Sequence, residues 1–193
     1  MITRGPYCIH HALVSVMSCY IYYGLIDENT DFNGVLDNAK KEINPHRRKV
    51  VYSINDFFRK YGFNLTAVEE YFNQGEDEIY LAKIQTLLNL GIPIIAIHDS
   101  ERVYQEIRDE NPEEIMEHAI VLTGITAENF IMWDPFSEKW PNEIPQRIFK
   151  DGWQKCAFFR IFLKPKKRKV IKRKVDSTLE EWIYNVEDRI PQN

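Results

Sequence analysis

The sequence predicts an α+β fold in which helices come first and a largely antiparallel sheet follows. Near the start of the chain, apolar residues recur at three- and four-residue steps, the period of a helix with one buried face. Beyond residue 92 they fall instead into short runs, "IPIIAIH", "HAIVLTGI", "NFIMW" and "CAFFRIFLK", the pattern of buried strands. With 193 residues, 44% of them apolar and 13% aromatic, the chain is long enough to bury a real core.

Each element has its own signal. From Cys8, "CIHHALVSVMSCYIYYG" places Leu13, Val16, Met17, Tyr20 and Tyr23 on one helical face, and Gly24 stops the helix. Gly5-Pro6 is turn chemistry, which puts Cys8 in the first helical turn. Residues 25–52 look irregular apart from a short helix around Val35–Glu42. Ser53 followed by Asp56 reads as the N-cap of a helix that Gly62 ends. "FNLTAVE" (63–69) is a strand. "EIYLAKIQTLLNLG" (78–91) is a helix with Ile79, Ala82, Ile84, Leu87, Leu88 and Leu90 mostly on one side, and "IPIIAIH" (92–98) is a buried strand. Two runs then meet near Thr126 as a hairpin, "IPQRIFKDGW" forms a short helix, and "CAFFRIFLK" (156–164) is the last strand. "STLEEWIYNVEDRI" (177–190) reads as a terminal amphipathic helix capped by Ser177, with Leu179, Trp182, Ile183 and Val186 as its apolar stripe. The expected division is a folded domain over 1–164, a basic linker over 165–176 and the helix-bearing segment 177–193.

Composition excludes several classes of protein. No run of about 18 apolar residues occurs, so no membrane span is expected. "MITRGP" begins nothing like a signal peptide, and the expected location is cytoplasmic. Cys8, Cys19 and Cys156 are odd in number and widely spaced, which argues against a disulfide framework and a cysteine zinc cluster. The net charge of −4 conceals two blocks. "KPKKRKVIKRK" (164–174) carries eight basic side chains and no acid, whereas "DSERVYQEIRDENPEEIME" (99–117) has eight acids against two arginines. The basic segment could lie against the acidic one and gate whatever adjoins residue 118. Alternatively both are solvated surfaces.

Within the hairpin, a turn centred near Thr126 opposes residues whose numbers sum to about 252, so His118 faces Asp134 on one side of the sheet. An imidazole beside a carboxylate can serve as a base whose tautomer is fixed. Cys8, in a first helical turn, meets the positive end of a helix dipole, which favours the thiolate. A histidine elsewhere in the fold can complete such a nucleophile. The order Cys8, His118, Asp134, with the sulfur on an N-terminal helix and the others on a later hairpin, is a papain-like arrangement.

The chain resembles the C39-like peptidases, papain-fold cysteine peptidases related to those that mature bacteriocins. Cys8 through Tyr22-Tyr23-Gly24 is similar to their nucleophile helix, and Gly91-Ile92-Pro93-Ile94-Ile95 to their Gly-x-Pro strand. "HAIVLTGI…FIMWDP" resembles their His…Asp-Pro hairpin, and "IFKDGWQKCAFFRIFLKP" their closing helix, tryptophan and strand. The likeness spans about residues 2–165 and implies a thiol hydrolase acting through an acyl-enzyme. In it Cys8 is the nucleophile, His118 the base and Asp134 the orienter. The family carries a glutamine oxyanion donor about six residues before the cysteine. Here that position is Ile2, and Ile9 replaces the glycine that normally follows the cysteine. Loss of such a donor costs on the order of 10²–10³ in rate. The Cys8 N–H remains as one donor, with Tyr7 or an amide of residues 1–6 as candidates for the second. A more distant resemblance is to the N-terminal domain of butirosin-type acyltransferases, which shares the Cys helix, the hairpin and the strand echoed by Gly91 through Asp99. It implies acyl transfer to an amine, and the Ile2 departure points to a third reading, an inactive domain that binds a peptide or partner.

No cofactor or metal is expected. His10 and His11 adjoin Cys8, but successive helical residues diverge by about 100°, so the three cannot easily face one ion. His46 reads as a loop residue and His98 as a strand-end residue near the hairpin. The expected partner is a peptide or a small amide or acyl substrate. "PKKRKV" (165–170) resembles a nuclear import signal, which in a eukaryotic protein would imply an import factor and a nuclear location. Basic runs also attract nucleic acid, but no aromatics are interleaved here.

Overall fold

A computed structural model of the chain describes residues 7–22, 24–46, 49–70, 77–99, 117–135, 142–155 and 160–165. The elements are α1 (Cys8–Tyr22), α2 (Phe32–Glu42), α3 (Val50–Lys60), β1 (Leu65–Glu70), α4 (Asp77–Asn89), β2 (Ile94–Asp99), β3 (Glu117–Ile125), β4 (Asn129–Trp133), β5 (Asn142–Pro145), α5 (Gln146–Lys155) and β6 (Arg160–Pro165). The strands form one sheet in the order β1-β6-β2-β3-β4-β5. Every pairing in it is antiparallel. The expected α+β class is therefore observed, with helices leading into the sheet. Of the charge blocks 99–117 and 164–174, residues 100–116 and 166–174 lie outside the described residues, as do Tyr23, Cys156, Ser177, the segment expected to form a terminal helix and nearly all of the linker.

Alternation along the strands sorts the core into two layers. On one face, Leu65, Ala67, Ile95, Ile97, Ala119, Val121 and Leu163 pack against α1, α2 and α3. On the other, Ile94, Ala96, Ile120, Leu122, Phe130, Met132 and Ile144 pack with Leu87 and Leu88 of α4 and Phe149 and Trp153 of α5. The sheet is thus sandwiched between helices, which explains why β2 reads as a continuous apolar run.

Local chemistry places the helices. The expected stripe of α1 is buried at Leu13, Val16, Met17 and Tyr20. Two residues past the helix, Gly24 sits at φ +67°, a conformation that favours glycine. Tyr20 also donates its hydroxyl to the Leu163 carbonyl at 2.5 Å, tying α1 to β6. In α2, the Asp31 carboxylate accepts the N–H groups of Asn33 and Gly34, both at 3.1 Å, so the helix starts earlier than the apolar pattern suggests.

The reading of Ser53 as a cap is corrected. α3 begins at Val50, because Val50, Val51, Ile54, Phe57 and Phe58 form its buried stripe and draw the first turn into the helix. Ser53 lies inside, donating to the Val50 carbonyl at 2.9 Å. The stripe on α4 is narrower than expected, since Ile79 is 48% exposed. Five residues at about 100° each put Ile79 well off the Ile84–Leu87–Leu88 line.

Both edges of the sheet are blunted. On β1, Asn55 of α3 accepts the Ala67 N–H at 2.9 Å and donates to the Ala67 carbonyl at 3.0 Å. The amide thus occupies the hydrogen-bonding positions another strand would fill. On the opposite edge, β5 ends in Pro145, which has no N–H to offer. Asn55→Ala should therefore destabilise the protein by about 2 kcal/mol, the cost of two peptide groups losing their partner. Urea denaturation should show a lower midpoint at unchanged slope.

Candidate active site

Helix α1 delivers Cys8 as its first residue. The His10 and His11 N–H groups both bond the Tyr7 carbonyl, at 3.0 and 3.1 Å, which closes the first turn just ahead of the sulfur. The earliest amides of a helix have no intrahelical acceptor and point toward the site. His10 is buried and donates Nε2–H to the Ile43 carbonyl at 2.9 Å, pinning this end of α1 to the residue that caps α2. Burial holds its pKa below the ordinary value, against the opposing pull of that bond. His10 is therefore a structural tie, a role the sequence did not signal. Among the described residues no group of histidine, cysteine and acidic side chains could hold a metal ion.

The hairpin brings the other two groups together by a register different from the expected one. Val121 opposes Trp133 and Leu122 opposes Met132; an irregularity then shifts the ladder so that Gly124 opposes Ile131 and Ile125 opposes Phe130. The turn lies between Thr126 and Asn129, where the Thr126 hydroxyl accepts the Asn129 N–H at 2.9 Å. His118 and Asp134 are thus diagonal neighbours, not directly opposed. The expected direct pairing is wrong by two residues. Because strands repeat every two residues, that error leaves both side chains on one face, and His118 Nε2 donates to Asp134 Oδ1 at 2.9 Å. Both are buried, at 6% and 2% side-chain exposure, so little water competes for this contact.

His118 belongs by alternation with Ile120 and Leu122, on the side of α4 and α5, whereas Cys8 comes from the opposite layer. They meet near the start of β3. The Cys8 thiol is hydrogen-bonded to the His118 ring and to the backbone amides of Ala119 and Ile9. With Nε2 committed to Asp134, the other ring nitrogen is the one left for sulfur. The three candidate residues Cys8, His118 and Asp134 are therefore in one continuous hydrogen-bonded row.

The electrostatics shift both groups toward their charged forms. Burial pushes the Cys8 thiol up, but the His118 hydrogen bond and charge, with the Ala119 and Ile9 amides, outweigh it and leave the pKa below its ordinary value. Burial likewise pushes His118 down, yet the bonds to Asp134 and Cys8 raise it to about 8. Cys19 shows the contrast: desolvation raises its pKa, and its thiol donates to the Ser15 carbonyl at 3.4 Å.

His98, read as a strand-end residue near the hairpin, is fully buried and directly opposite His118 in the β2–β3 ladder. The candidate oxyanion donors within residues 1–6 lie outside the described residues. No helix among the described residues is long and apolar enough to cross a membrane.

A family model described as the Peptidase_C39 like family matches residues 12–159, a segment that includes His118 and Asp134 and starts just after Cys8. Among solved structures, the chain is similar to a protein titled a C39-like peptidase from Bacillus anthracis, at 17% identity and a TM-score of 0.41. That alignment covers 61% of this chain and 60% of that one. It is also similar to a double glycine motif protease from an AMS/PCAT transporter, solved with its leader peptide, at 16% identity and a TM-score of 0.49. There the coverage is 86% of this chain and 89% of that one. The curated proteins contain no match.

The shifted pKa values fix how the site responds to pH. A raised histidine stabilises the fold fully below its unfolded value of 6.5, and that contribution is lost as pH climbs through about 8. The lowered Cys8 contributes fully above 9.0 and loses its contribution as pH falls through its folded value. Iodoacetamide should therefore alkylate Cys8 well below pH 9.0, before Cys19 reacts. In Asp134→Asn, the Cys8 rate at pH 7 should fall by about tenfold, one pKa unit of lost thiolate.

Proposed function

The chain belongs to the Peptidase_C39 like family, and from that membership together with the site geometry we propose that it cleaves a peptide or amide bond through an acyl-enzyme on Cys8. The observation that supports this most directly is the His118 ring, hydrogen-bonded to the thiol and, through Nε2, to Asp134.

In this reading the Cys8 thiolate attacks the scissile carbonyl carbon, and the carbonyl π electrons move onto oxygen. The Cys8 N–H is a first donor to that oxyanion, at the positive end of α1. As the tetrahedral species collapses, the C–N bond breaks and the imidazolium of His118 gives its proton to the departing amine. The acyl-thioester remains on Cys8. Water then attacks it while His118 takes the water proton, and the thiolate leaves with a carboxylic acid as product. Asp134 holds the ring tautomer throughout and stabilises its charged form, without itself accepting the proton.

The substrate proposed is a peptide, in keeping with the family. Transfer of the same acyl group to an amine shares every step up to the thioester, and only the acceptor differs. The observation favouring a binding role is Ile2, at the position where the family carries its glutamine.

Incubation with a peptide library should yield new amine and carboxyl ends by mass spectrometry, together with a covalent acyl adduct on Cys8. Cys8→Ala should abolish both, and Asp134→Asn should slow cleavage by about 10²–10⁴-fold. Products carrying an added amine in place of water would assign the acyltransferase reading. Peptides that bind the wild type and Cys8→Ala equally, without cleavage or adduct, would assign the binding reading.

A further inference from the structure

A second imidazole, which the proposed chemistry does not use, lies buried against the base. His98 is 0% exposed and directly opposes His118 in the pairing of β2 with β3, so both side chains project from one face. The ring centroids are 5.8 Å apart with planes inclined at 78°, an edge-to-face contact. Behind His98 stands Phe149 of α5 at 6.4 Å. Phe149 packs in turn on Phe130 at 4.9 Å and Trp153 at 5.4 Å. All three aromatics are fully buried, so they back His98 with close-packed core.

His118 needs such support. The torsion that sets the plane of an imidazole is broad, so rotamer preference alone leaves the ring loosely oriented. The bond to Asp134 fixes where Nε2 points but leaves the ring able to rotate about that direction. A ring that rotates carries its second nitrogen away from the thiol. An edge-to-face neighbour opposes that rotation, whereas a narrow aliphatic chain in the same place does not.

We propose that His98 is a positioning residue for the Cys8–His118–Asp134 site, holding the His118 ring in the plane that lets both its nitrogens reach their partners at once. The consequence for catalysis rests on the proposed peptidase reading; the positioning itself does not. The titratable groups described around the His118 ring are Asp134 beyond the end of β4, Cys8 on α1 and His98 on β2.

The test compares wild type, His98→Phe and His98→Leu, each checked for folding by circular dichroism. In the wild type, NMR should show a cross-relaxation peak between the His98 and His118 rings and a His118 titration near pH 8. In His98→Leu, that titration should move toward 6.5, and Cys8 alkylation at pH 7 should slow by about fivefold, a shift of roughly 0.7 unit. His98→Phe, which keeps a ring in place, should retain both within about twofold of wild type. A folded His98→Leu protein with unchanged titration and alkylation overturns the proposal, as does a Phe variant that loses as much as the Leu variant. If neither variant folds, absence of the wild-type ring-to-ring peak overturns it and its presence sustains it. Failure of the wild type to cleave any peptide would count against the proposed function while leaving these readings intact.

Discussion

The buried hydrogen bond from His118 to Asp134 is the largest of the interactions that hold the histidine's pKa up against burial. Burial drives a thiol toward its neutral form and an imidazole toward its neutral form, and here Cys8 is partly buried and His118 almost fully so. Without the carboxylate, the strongest interaction opposing burial at His118 would be lost. With it, the imidazolium is favoured, and the imidazolium in turn favours the thiolate. One contact of 2.9 Å thus reaches, through the His118 ring, a sulfur that Asp134 does not need to touch.

The further contact, of Cys8 with His118, joins the two layers of helices that cover the sheet. Cys8 reaches the site from the layer of α1 to α3, and His118 and Asp134 belong to the layer of α4 and α5. A pairing through the middle of the sheet would be impossible, since the backbone ladder lies between the layers. The two meet near the start of β3, beyond the point where its pairing with β4 stops at Val121 and Trp133, and the first amides of α1 add their own polarity to the junction. Such a junction couples two otherwise separate hydrophobic cores through a single polar row.

Much of this was legible in the sequence, for reasons that differ residue by residue. The helix of Cys8 was readable because Leu13, Val16, Met17 and Tyr20 repeat at helical steps and a glycine follows close behind. The partnership of His118 and Asp134 was readable for a subtler reason: a register error of two residues preserves the face, while an error of one would have destroyed it. The irregularity between Leu122 and Gly124 was not readable, because it depends on how the ladder closes in three dimensions. Ser53 misled because hydroxyl side chains cap helices and also bond inside them, and only the buried positions of Val50 and Val51 distinguish the two. The bond from His10 to Ile43 and the contact of His98 with His118 join residues on separate elements, and no local pattern announces them.

The attachment of α1 at both ends has a mechanical consequence. Tyr20 fixes the far end to β6, and Cys8 lies twelve residues away. Taking about 1.5 Å per residue, the sulfur rides at the tip of a lever roughly 18 Å long, where a tilt of about 5° would swing it by about 1.5 Å. A swing of that size is enough to break a hydrogen bond to the ring. His10 clamps the lever within a turn of its tip, so the short bond to Ile43 converts a swinging arm into a braced one.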